Sequence, residues 1–218
     1  MSAQDNRLVI LLAGLWMPGA VMRPLARRLH GSGFATRIFG YDSMRSELTA
    51  NARRLAHFVA AQPAASLDLV GHSLGAVLIM RMLEVAPDAR IRRAVLLAPP
   101  YRDSYAGRVL GRHAPGRVLL GRGVPEWLAG ARGHAGSGAS GVQIGVVAGT
   151  RRFGLGSLVI AGMPRPNDGV VTVEETRVHG MRDHIVLPVT HSGMLFSAAV
   201  ARRVCEFLRD GAFTRAPG

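Results

Sequence analysis

Gly71-His72-Ser73-Leu74-Gly75 fits the pattern G-x-S-x-G. Leu67 to Val70, which reads as a mostly apolar strand, stands directly before it, and an apolar helical stretch, Ala76 to Val85, directly after. A serine held between a strand and a helix must turn so sharply that it takes strained dihedrals, and side chains two residues to either side would clash, so both positions are glycine. Such a turn lifts the Ser73 hydroxyl above the sheet and aims the Leu74 N–H at the place where an oxyanion would form.

A hydroxyl is a poor nucleophile at neutral pH and needs a base. Of the eight histidines, His30, His57, His113 and His134 fall on helix surfaces or in a glycine-rich insert. His72 lies inside the turn, where it packs beneath it. His184 starts the apolar strand Ile185 to Val189 and so belongs to the opposite edge of the sheet, and His179 lies in the loop before it. His191 follows that strand, ahead of Ser192-Gly193 and the last helix, which puts it on the same edge as Ser73.

The base in turn needs a carboxylate to fix its tautomer. Asp168, in Pro166-Asn167-Asp168-Gly169-Val170-Val171, lies between nucleophile and histidine in the chain and reads as a turn beyond a strand. Asp103, which follows the strand Ala94 to Ala98, is the alternative; Asp183 sits at the wrong end of the last strand. Ser73, His191 and Asp168 are expected to form one chain of hydrogen bonds.

These residues need a scaffold that brings strand ends together. Leu8 to Leu12 is an apolar run of strand length closed by Ala13-Gly14, and Pro24 opens an amphipathic helix that ends near Gly31-Ser32-Gly33. Thr36 to Tyr41 reads as a strand, Leu48 to Ala61 as a helix, and Ala94 to Ala98 as a strand ended by Pro99-Pro100. Apolar strands alternating with helices predict an α/β fold with a mostly parallel sheet covered on both faces. Tyr101 to Gly141 breaks the rhythm with glycine, arginine and short apolar patches, which predicts a cap or flap over the Ser73 site rather than further sheet. Val142 to Ala148 resumes as a strand, Ser157 to Ala161 is a candidate strand, Thr172 and Glu175 have capping-box spacing, and Ser197 to Leu208 reads as the last helix. One domain over residues 1–218, with the insert at about 101–141, accounts for the 218 residues.

The chain resembles the α/β-hydrolases, in their small bacterial esterase and lipase-like branch. The resemblance rests on the first strand and its glycine turn, Gly71-His72-Ser73-Leu74-Gly75, Asn167-Asp168-Gly169-Val170-Val171, and Thr190-His191-Ser192. It implies Ser73 as nucleophile, Asp168 as acid, His191 as base, and an oxyanion hole from the N–H groups of Leu74 and Leu15, with Trp16 the other candidate donor. Trp16 and Met17 would border the substrate. The implied activity is hydrolysis of carboxylic esters through an acyl-enzyme, with no cofactor. The same three residues would serve a thioesterase or an acyltransferase. Many relatives carry His-Gly where this chain has Ala13-Gly14, and a non-catalytic binding protein of the same fold is the reading from another class.

Composition bounds the rest. There are 27 basic against 14 acidic residues, a net charge of +13, and every basic residue is arginine. The arginines are scattered pairs without a long run, and aromatics are 6%, so base-stacking platforms are scarce and no nucleic-acid partner is expected. The charge is compatible with peripheral contact at an anionic membrane surface, and says nothing of oligomeric state. Leu8 to Trp16 is short for a membrane span, which needs about 20 residues, and lacks a clean basic segment before it, so a cytoplasmic location is expected. The lone Cys205 excludes an intramolecular disulfide.

Overall fold

The computed structural model describes residues 7–130, 141–153 and 162–214. The first half alternates strictly: β1 (Arg7–Leu12), α1 (Arg23–Gly31), β2 (Ala35–Phe39), α2 (Leu48–Ala60), β3 (Ser66–His72), α3 (Leu74–Val85) and β4 (Ile91–Leu97). Three short helices follow, α4 (Tyr105–Gly111), α5 (Ala114–Leu120) and α6 (Gly123–Gly130), then β5 (Gln143–Gly149), β6 (Asp183–Leu187) and α7 (Ala198–Asp210). Among the described residues the strands form a six-stranded sheet in the order β2-β1-β3-β4-β5-β6, and every pairing is parallel. All strands therefore present their carboxyl ends on one edge. The candidate strand Ser157 to Ala161 lies outside the described residues.

Side chains alternate across a strand, and β1 shows what that does here. Leu8, Ile10 and Leu12 enter one core with Leu55 and Val59 of α2 and Val77 of α3. Val9 and Leu11 enter the other with Leu25 and Leu29 of α1 and Val204 and Phe207 of α7. Both faces are buried, so both registers of the alternation must be apolar, which is why the strand reads as a continuous hydrophobic run. Cys205 is a buried free thiol on α7, facing the second core.

The insert adds no strand among its described residues. Its glycines keep its helices short, yet α4 and α5 each have a start or stop signal. Ser104 caps α4 by accepting the Gly107 N–H at 2.9 Å, Pro115 stands in the first turn of α5, and Gly121, at φ 61°, ends it. Trp127 is buried against Tyr101, with ring centroids 5.2 Å apart, and donates its indole N–H to Pro100 O at 3.1 Å. Thr172 and Glu175 make both capping-box bonds, the Thr172 N–H to Glu175 Oε2 at 2.7 Å and the Glu175 N–H to Thr172 Oγ1 at 3.1 Å. The box closes on a turn, not the short helix that its spacing suggests.

Candidate active site

Ser73 joins β3 directly to α3 with φ 53° and ψ −121°, outside the regions an L-residue ordinarily takes. Its N–H still pairs with Leu97 O of β4 at 2.8 Å, so the strain sits at the last sheet bond of β3. Both flanking glycines are sterically required. A Cβ on Gly71 would meet Ala76 backbone at 2.7 Å, and one on Gly75 would meet Ala13 O at 2.4 Å. The second contact matters more, because it lets the start of α3 press against the end of β1. Gly14 is pressed likewise, since a Cβ there would lie 3.0 Å from Ser73 Cβ.

His191 and Asp168 reach the same edge on the loops after β6 and β5. The His191 Nδ1–H donates to Asp168 Oδ2 at 2.7 Å, and the two residues are 7% and 1% exposed. The backbones are tied as well, His191 N–H to Asp168 O at 3.0 Å. Asp168 Oδ1 accepts the N–H groups of Val170 and Val171 at 2.9 and 2.8 Å. Burial pushes this carboxyl's pKa up, but His191 and the two N–H bonds outweigh it and hold it below the usual carboxylate range. Asn167 tightens the loop, donating to Pro164 O and accepting from Gly169 N–H. Asp103 lies elsewhere, paired with Arg108 and 43% exposed.

Among the described residues no direct hydrogen bond joins Ser73 to His191, so the expected relay is closed only between His191 and Asp168. The link between the two sides is His72. Its ring is fully buried, its centroid lies 4.6 Å from that of His191, and its Nε2 stands 3.0 Å from His191 O. A carbonyl only accepts, so Nε2 carries the proton and Nδ1 is bare; among the described residues Nδ1 has no partner. Burial, then the adjacent His191, lowers the pKa of His72 to about 3 and keeps it neutral. Sequence reasoning placed His72 beneath the turn but missed its contact with His191.

Of the two expected oxyanion donors, Leu74 N–H is the first of α3, has no acceptor within the helix, and sits at its positive end. Leu15 N–H has no acceptor among the described residues, whereas Trp16 N–H is taken by Ser43 Oγ at 3.2 Å. Trp16 is 53% exposed at φ 61°, two residues after the Gly14 that abuts Ser73, and Met17 is half-buried against the α1 and α7 core. Phe153, 82% exposed, lies beside Gly169 on the acid loop. Gly149 was also missed: a Cβ there would strike Val189 O at 2.6 Å and Asp168 Cβ at 2.8 Å. A glycine closing a strand, as in Ala13-Gly14, was the available signal.

A parallel sheet with a strained serine after β3, and a buried acid–histidine pair on the last two loops of the same edge, is the architecture of the α/β-hydrolases, and the chain has that fold. Residues 34–115 match the family model described as serine hydrolase. Solved structures resemble the chain over most of its length. The mature lipase BlEst2 of Bacillus licheniformis is 14% identical, with a TM-score of 0.74 over 92% of this chain and 90% of that one. The metagenomic carboxyl esterase MGS0156 is 18% identical, with a TM-score of 0.70 over 88% of this chain and 66% of that one. The carboxylesterase CesB (YbfK) of Bacillus subtilis is 18% identical, with a TM-score of 0.60 over 94% and 84%. A search of curated proteins finds no match. Among the described residues no helix is long and apolar enough to cross a membrane.

Proposed function

We propose that the protein hydrolyses carboxylic esters through an acyl-enzyme on Ser73. The observation that carries this reading is the strained serine on the same sheet edge as the His191–Asp168 pair, closed at 2.7 Å. Ser73 Oγ attacks the acyl carbon while His191 Nε2 takes its proton. The carbonyl π electrons move to oxygen, and the N–H groups of Leu74 and Leu15 receive the oxyanion. The tetrahedral adduct collapses, His191 returns the proton to the leaving alcohol oxygen, and the acyl group stays on Ser73. Water, deprotonated by His191, repeats the addition and frees the acid. Asp168 fixes His191 as the Nδ1–H tautomer and stabilises the imidazolium. Catalytic hydrogen bonds often tighten only once substrate is bound, so the open Ser73–His191 link is compatible with this reading.

Trp16 and Met17 border the acyl site in this reading, and the insert, described over 101–130, would cover that edge, excluding water and selecting acyl length; residues 131–140 of the insert lie outside the described residues. The similar structures, a lipase and two carboxyl esterases, agree with this substrate class.

The test is labelling with a fluorophosphonate probe and turnover of p-nitrophenyl esters. Wild type should label and turn over; Ser73→Ala and His191→Ala should do neither. Asp168→Asn should fold and lose up to about 10⁴-fold in kcat. Asp103→Asn should stay within about twofold of wild type, because that carboxylate serves Arg108. A folded wild type that neither labels nor cleaves short and long esters overturns the reading.

A further inference from the structure

The turn after β1 has no histidine side chain to brace it, yet it must hold the Leu15 N–H in place. Its bond is Met17 N–H to Gly14 O at a long 3.4 Å, and Trp16 stands at φ 61°, a region that bulky L-residues avoid. Such a conformation persists only where the surroundings over-determine it. Two hydroxyls from the loop after β2 do so. Tyr41 Oη–H donates to Ala13 O at 2.9 Å, and Ser43 Oγ accepts the Trp16 N–H at 3.2 Å.

We infer that Ser43 is a positioning residue for the oxyanion site: by taking the Trp16 N–H, its hydroxyl holds Trp16 left-handed and leaves the Leu15 N–H to meet the oxyanion. This rests on the hydrolase reading above.

Ser43 is itself fixed. It is 8% exposed, inside a turn whose preceding residue, Asp42, accepts the N–H groups of Met44 and Arg45 through Oδ1 at 3.0 and 2.9 Å. Asn51 of α2 donates to Asp42 O at 2.8 Å. From the other side, Arg122 of the insert donates its N–H to Met44 O at 3.0 Å. A chain of backbone and side-chain bonds therefore runs from the insert through residues 42–44 to the Leu15–Trp16 peptide. Without the Ser43 acceptor, Trp16 gains by leaving the left-handed region, and the neighbouring peptide that carries the Leu15 N–H turns with it.

The experiment compares Ser43→Thr, which keeps the hydroxyl, with Ser43→Val, its isostere without one. Turnover of p-nitrophenyl butyrate and inhibition by an aryl trifluoromethyl ketone, whose adduct with the serine presents an oxyanion, are measured on both. Ser43→Val should lose about 10- to 100-fold in kcat with KM within about twofold, and ketone affinity should fall in parallel with kcat/KM. Ser43→Thr should stay near wild type. In a Trp16→Gly background, where glycine takes φ 61° freely, the cost of Ser43→Val should shrink to less than about threefold. Wild-type kcat in a folded Ser43→Val overturns the inference, as does equal loss in Thr and Val or an undiminished loss in the Trp16→Gly background. A wild type without ester turnover or labelling refutes the hydrolase reading instead, so the two failures are distinct.

Discussion

His72 shows how much a single side chain next to Ser73 can be asked to hold. It spends its proton on the His191 carbonyl, packs its ring on the His191 ring, and keeps a bare Nδ1 beside Gly14. Neutrality is a condition of that arrangement, because a second proton would charge a fully buried ring. With a folded pKa of about 3 against about 6.5 unfolded, the unfolded chain binds the extra proton between those values. This group's contribution is thus fully present above about pH 6.5 and is lost as pH falls toward 3, with a limiting slope of about 1.4 kcal/mol per pH unit. Urea unfolding at pH 7, 6, 5 and 4 should show a slope steeper in wild type, by up to about 1.4 kcal/mol per pH unit, than in His72→Gln, which can still donate to the carbonyl; His184, also lowered by burial, adds its own slope to both. Equal slopes would mean that His72 is charged or unburied. At this scale the legible residues were those with a rigid local pattern. Ser73 announces itself through glycines at fixed offsets, and His191 through its place after a strand. Ser43 and His72 make their contacts with chain segments 27 or more residues away, and nothing local marks them, whereas Gly149, which leaves room for Asp168, is marked only by closing a strand.

The insert and α2 depend on one another. The residue before α2, Glu47, makes no capping bond with its side chain. Glu126 of α6 does that work from 77 or 78 residues further along: its carboxylate accepts the Leu48 N–H at 2.5 Å, the Thr49 N–H at 3.1 Å and the Thr49 hydroxyl. A carboxylate there also meets the positive end of the helix. Glu126→Ala should lower unfolding free energy by about 1–2 kcal/mol, read from denaturant midpoints, with the far-UV spectrum unchanged. A wild-type midpoint would show that water replaces the carboxylate without loss. The strands and long helices were legible because a parallel sheet buried on both faces needs apolar strands, and α2, buried on one face, has helical periodicity. The predicted α2, Leu48 to Ala61, is the observed helix to within one residue. The insert was legible as a departure from that pattern and as something other than sheet. Its three helices were not, since each is a two-turn piece whose stability comes from Trp127 on Tyr101 and Glu126 on α2, pairs distant in sequence.

Over the whole molecule the two sheet edges do different work. The carboxyl edge carries the strain and the bare polar groups of the candidate site, and the amino edge carries a clamp. Arg7, the first residue of β1, pairs with the buried Asp68 of β3 and donates to Leu208 O in the last turn of α7. Arg93 of β4 donates to Leu208 O and Arg209 O, capping the same helix end. An aspartate inside the apolar run Leu67 to Val70 is the one trace of this clamp in the sequence, and its partners could not be read from it. The clamp has a topological consequence: the start of the first strand and the end of the last helix are neighbours, so the body is a nearly closed ring of elements. Where the ring is opened should matter little. A circular permutant that joins residue 214 to residue 7 through a short glycine-serine linker, and begins at His113 in the exposed turn between α4 and α5, should keep the same sheet order. It should unfold cooperatively and label with fluorophosphonate at Ser73 to the extent expected of the parent. A permutant that folds but does not label would show that the covalent continuity of the insert, and not only its docking, sets the Ser73 edge.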